Sequence, residues 1–84
     1  MIKIVFSEVE SPTATEDAID LQSSSGVRAV NTVSKPASIT ILTNHGDSKS
    51  ITLAGGESVI LKKSSTDKVY SSAKTIRIAG VSIY

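Results

Sequence analysis

The chain has no cysteine and no tryptophan, a single histidine, one phenylalanine, two tyrosines and two prolines. Without cysteine there is no disulfide, no thiolate nucleophile and no thiolate metal site, a composition suited to a reducing compartment. One histidine does not make a histidine-based zinc site. Three aromatic rings are too few for a platform on which bases or sugars stack. An excess of one charge is also missing: nine Lys and Arg face eight Asp and Glu, a net charge of +1, so nothing global draws the chain to nucleic acid or an anionic membrane. No apolar run approaches the ~18–20 residues that span a bilayer, and no membrane partner is expected. The opening Met1–Phe6 is too short, and too soon followed by acids, for a signal peptide. At 84 residues the chain has room for one domain.

What is abundant is the β-branched side chain. Ten Ile, eight Val and eight Thr stand against four Leu and one Met. Such side chains lose χ1 freedom in a helix and fit a pleated surface, so the composition favours strands. Fifteen Ser sit in clusters between the apolar runs rather than in place of them, which spaces strands with turns. The core is expected to be aliphatic and small, and a small core without staples gains from oligomerisation.

Apolar runs recur with turn chemistry between them, and the pattern predicts an all-β, single-domain antiparallel sandwich or barrel of about seven short strands over residues 1–84. Residues 27–84 form its main strand-rich part, and 1–26 an acidic, less regular N-terminal part. Ile2, Ile4 and Phe6 alternate on one face of a first strand. Pro12 interrupts the acidic stretch Glu8 to Asp20. Thr15 to Leu21 reads either as a capped helical turn or as a strand with Ile19 and Leu21 inward, and the alternation into Ser23-Ser24-Ser25-Gly26 favours the strand. Strands follow at Val27–Val33, Ala37–Thr43, Ser50–Leu53 and Glu57–Lys62. Turns fall at Ser34–Pro36, Asn44–Asp47 and Ala54–Gly56, and Ser64–Asp67 is a loop whose Thr66 and Asp67 can bond the local backbone. In the last strand, Lys74 to Tyr84, the inward face switches from Ile76 and Ile78 to Val81 and Ile83. A bulge at Gly80 is the expected cause.

No set of residues reads as an active site. His45, beside Asn44 and Asp47, has no partner for metal or nucleophile activation and reads as a surface turn residue. Gly55-Gly56 lacks the Lys-Ser/Thr and the following helix of a phosphate loop and reads as a tight hairpin turn. Ser65/Lys68 and Ser71/Lys74 match a Ser-x-x-Lys pattern, which a chain this rich in Ser and Lys produces by chance. Glu8 and Glu10 share a strand face, but without a second wall to shift one pKa they read as edge charges that discourage strand pairing. No catalytic, cofactor-binding or metal residue is assigned, and no enzymatic activity is expected.

Charge is segregated along the chain. Residues 1–24 carry Glu8, Glu10, Glu16, Asp17 and Asp20 against Lys3; residues 25–84 carry eight bases against Asp47, Glu57 and Asp67. Such a division suits docking between proteins.

From Val27 onward the chain resembles small all-β virion proteins of tailed bacteriophages, particularly phages of marine cyanobacteria. The resemblance lies in the strands Val27–Thr32 and Ile39–Asn44, the final strand Ile76 to Tyr84, and above all Leu53–Val69, where a small-Gly-Glu turn leads to an apolar strand, a basic end and a Ser/Thr-Asp loop. It leaves the acidic segment Glu8 to Asp20 outside. It implies a structural protein of the virion, foremost a capsid decoration (cement) protein. Such a protein would sit on the capsid surface against the phage major capsid protein, after assembly in the host cytoplasm, as a homo-oligomer with a trimer favoured. Ser7 to Asp20 would be the arm that reaches a neighbour. The alternative is a small β-barrel module binding nucleic acid or another protein through Lys62, Lys63 and Lys68. Steep loss of affinity with salt would mark the nucleic-acid form, whose partner the aromatic shortage makes the less expected one.

Overall fold

The computed structural model describes residues 2–83, with side chains described for 3–82. Seven strands run through them: β1 (Ile2–Glu10), β2 (Gly26–Asn31), β3 (Ala37–Leu42), β4 (Ser48–Leu53), β5 (Ser58–Lys62), β6 (Lys68–Ser71) and β7 (Ile76–Ile83). All pair antiparallel, in a four-stranded sheet ordered β1-β7-β2-β5 and a three-stranded sheet ordered β4-β3-β6. Both sheets contribute to one aliphatic core: Val27, Ala29, Ile76 and Ile78 from the first, Ala37, Ile39, Leu53 and Val69 from the second. The expected all-β sandwich is therefore the fold.

The expected strand at Ala18–Leu21 is not formed. Thr15–Asp17 is a single 3-10 turn without a side-chain cap. Ile19 then makes one bridge to Val69, and Leu21, Gln22 and Ser23 turn left-handed at φ 55°, 57° and 58°. Leucine rarely takes that conformation. Here the Asp20 carboxylate accepts the Gln22 N–H at 3.1 Å, and Leu21 is 1% exposed at the core. Burial holds a side chain where backbone preference would not put it. The seventh strand is instead β6, which at four residues is too short for its alternation to show in sequence.

The segment Ser7 to Asp20 is consequently not a free arm. The Ser11 N–H donates to the Ile76 carbonyl at 2.9 Å, the Ser71 N–H donates to the Pro12 carbonyl at 2.9 Å, and Ile19 exchanges bonds with Val69. It laces the first sheet to the second along one side of the sandwich.

The bulge lies opposite Gly80 rather than in its own strand. β7 keeps one register with β2 from Ile76 to Val81, so Ile78 and Val81 point to opposite faces. The slips are in β1, where Ile4 pairs Val81, Phe6 pairs Gly80 and Val9 pairs Ile78. As an inner strand, β7 is apolar on both faces near Ala79 and Val81, which imitates a change of phase. Gly80 is there for space: a Cβ would stand 2.8 Å from the Leu21 carbonyl oxygen and 3.0 Å from the Phe6 Cβ. The Ile83 side chain, expected to join this set, lies outside the described ones.

The turn at Asn44–Asp47 joins β3 to β4 as expected, with Gly46 at φ 91° and the Thr43 N–H bonded to the Asp47 carbonyl. The Gly55-Gly56 turn is tight but is no hairpin, because β4 and β5 belong to different sheets. Gly56 takes φ 78°, and a Cβ on Gly55 would strike the Ser34 backbone.

Candidate assembly surface

The sheet edges and outer faces are where a partner could be met, and the four edges differ. On β6, the backbone of Val69 and Ser71 is bonded by Ile19 and Pro12, so the edge is covered. β1 slips register twice and carries the exposed Lys3, Glu8 and Glu10, features that deter a further strand. β4 pairs evenly with β3 but carries the exposed Lys49 in register with Ile41; a lysine within an edge strand has the same deterrent effect. Among the described residues β5 has no cover and no slip, and its one charge, Lys62, is its last residue. It pairs with β2 over five residues without a slip. Its central residues are Val59 and Leu61, half-buried on the core side, and Ile60, 44% exposed on the outer side. Glu57 and Lys62, both exposed, flank them.

The outer face of the larger sheet carries a charge cluster. Arg77 Nε lies 2.8 Å from Glu8 Oε1, and Arg28 Nη1 lies 3.4 Å from Glu8 Oε2. Glu8 thus ties β1 to β7 and β2 within the chain. This surface is not bare, since Ile4, paired across to Val81, is 71% exposed on the same sheet.

Lys62, Lys63 and Lys68 differ in exposure: Lys62 and Lys68 are exposed and Lys63 is buried. Lys62 ends β5 in the larger sheet and Lys68 begins β6 in the smaller. Lys63 is 8% exposed. Its ammonium donates to the Asp67 carbonyl at 2.9 Å and the Ser64 carbonyl at 3.2 Å. Burial holds its pKa below the ordinary lysine range, while the charges of Asp20 and Asp67 oppose that shift. The Asp67 carboxylate accepts the Ser64 N–H at 2.9 Å, closing the loop as its residue types predicted.

His45 is exposed in the β3–β4 turn. Ser71 is buried with its hydroxyl donating to the Ala73 carbonyl at 2.8 Å, while Ser65, Lys68 and Lys74 are all exposed. Among the described residues no His, Asp and Glu side chains converge as a metal site. A concavity of about 340 Å³ is lined by Val33, Pro36, Ala37, Ser72, Ala73 and Thr75.

Asn31 is the residue sequence reading passed over. It is fully buried. Its amide donates to the carbonyls of Lys35 at 2.9 Å and Leu53 at 3.2 Å and accepts the Val33 N–H at 3.4 Å. Its backbone bonds Gly56 and Glu57. One side chain thereby pins both places where the chain crosses between sheets near it, and leaves no buried polar group there unpaired. A polar residue ending an apolar strand just before a turn was the only hint.

Comparison with protein-family models, with curated proteins and with solved structures finds no match to the chain.

Proposed function

We propose that this protein is a structural component of a bacteriophage virion, a decoration protein that strengthens the head by binding the major capsid protein. The observation that supports this most is a coincidence of location. The stretch Leu53–Val69, which most resembles virion proteins, contains β5, the strand whose edge has no covering segment, no slip and no charge before its last residue. A decoration protein works through extended contact rather than a pocket, and a sandwich with exposed apolar side chains at Ile4, Ile51 and Ile60 supplies such contact.

The experiment is direct. Particles purified from infected cells are analysed by mass spectrometry, and the purified protein is mixed with capsid shells that lack it. The protein is expected in the particle in stoichiometric amounts and on the shells after mixing, with shells that resist heating better when coated. Its absence from the particle refutes the proposal, as does failure to bind the shells.

A further inference from the structure

We infer that the edge of β5 pairs with the β5 edge of a second copy of this chain, joining two four-stranded sheets into one continuous sheet about a two-fold axis. The inference rests on edge geometry and stands apart from the virion reading.

The direction of the backbone groups fixes the register. The Asn31 N–H donates to the Glu57 carbonyl, and the Lys63 N–H donates to the Ser25 carbonyl. Residues 57 and 63 therefore bond toward β2, and so by alternation do 59 and 61. The N–H and C=O groups of Ser58, Ile60 and Lys62 point the other way, along the open edge. A two-fold axis perpendicular to the sheet must pair even residues with even ones, since otherwise the core side of one copy would meet the outer side of the other. Centring the axis on Ile60 satisfies every outward group. Ile60 pairs with its own copy, and Ser58 pairs with the partner's Lys62 at both ends.

The side chains agree with that register. Ile60 meets Ile60 on the outer face and Val59 meets Leu61 on the core-facing side, so apolar groups lie opposite apolar groups. Lys62 faces Ser58 rather than another lysine. Antiparallel pairing also sets the two Lys62 residues at opposite ends of the shared ladder. A parallel arrangement would set like charges together.

The other edges explain why the partner strand is β5 itself. β6 is covered, β1 is bulged and charged, and β4 carries the exposed Lys49. A three-fold ring built on edges needs two different compatible edges in each subunit, whereas a two-fold needs only one. A chain with one open edge makes a dimer.

The test uses the full chain. Sedimentation over a wide concentration range should give the mass of two chains for the native protein, and half that mass for Ile60→Lys. That substitution sets two ammonium groups opposite each other at the axis; it also faces Arg28 of β2 within the chain, so circular dichroism must first show the variant folded. Ile51→Lys, on the β4 edge, should leave the dimer unchanged. Amide exchange of the native protein supplies a readout that needs no variant: the Ser58, Ile60 and Lys62 amides should slow as concentration rises. A native monomer at millimolar concentration overturns the inference. So does a mass of three chains, a dimer that survives in folded Ile60→Lys, or exchange at Ile60 that is fast and independent of concentration.

Discussion

The two long sides of the sandwich manage the same problem in opposite ways. On one side, Ser11–Leu21 crosses from β7 to β6, bonds the exposed strand backbone and drives Leu21 into the core. On the other, β4 and β5 end their sheets, and among the described residues no segment is bonded across them. A sheet edge is a row of unsatisfied donors and acceptors. The covered side spends eleven residues of irregular chain on its own strands, while the open side keeps regular strands and a short connecting turn. The difference separates residues that serve the fold from residues free to serve a partner.

The sharpest way to break this division is Leu21→Ala. Truncating a buried leucine on the covered side should cost about 2–5 kcal/mol, and thermal melting should show most of a small domain's stability gone. The same truncation at Ile60, on the open side, should cost no more than about 1 kcal/mol in the isolated chain. Similar losses at the two positions would mean that the open side is as much a part of the core as the closed one.

Asn31→Ala comes next. It strips a partner from the buried Leu53 carbonyl and from the partly buried Lys35 carbonyl, and an unpaired buried group costs about 1–3 kcal/mol. Denaturant unfolding should show the loss. A neutral result would mean that water replaces the amide.

Lys63, which backs the Ser64–Asp67 loop beyond the end of β5, gives a pH signature. Its folded pKa is lowered from 10.5, chiefly by burial and against the pull of Asp20 and Asp67. Between the lowered value and 10.5 the unfolded chain binds the extra proton, so the lysine's contribution to stability rises with pH across that interval and is complete above it. Denaturant midpoints of the native protein should gain on those of Lys63→Met as the solution is made alkaline. A constant gap would show that the ammonium is as well solvated folded as unfolded.

Glu8→Gln should have the smallest effect. The two ion pairs are about 40% exposed, and exposed pairs contribute at most about 1 kcal/mol. The difference between the proteins should shrink in high salt.

Much of this molecule was legible in its residues. Alternation in β2, β3 and β5 and turn chemistry at Asn44–Asp47 point to strands because those signals are local. The covered side was not legible, because Ile19 and Leu21 are held by residues far along the chain: Val69, Gly80 and Phe6. Their apolar spacing looks like a strand when only neighbours are considered. Gly80 misled for a related reason. The residues beside it alternate on both faces of an inner strand, and sequence spacing does not say which strand of a pair carries the slip. The basic residues Lys62, Lys63 and Lys68 look equivalent as letters, and only tertiary packing buries the middle one. The edges are a partial case. Charge and proline are visible in sequence, but which strands stand at the margins depends on pairing order.

The pairing of β1 with β7 also bears on how the chain is made. β1 takes its place beside β7, so it stays without its partner until the six later strands of the sandwich have been translated, and the lacing segment behind it waits for β6 and β7. Closing so long a loop is slow. During that wait β2 and β5 can form their antiparallel pair, yet the neighbour on the far side of β2 is still missing. The nascent pair is therefore open on both margins, and β7 later closes the one beside β2. A chaperone that shields strands would matter most in that interval, before β7 arrives and fills the sheet between β1 and β2.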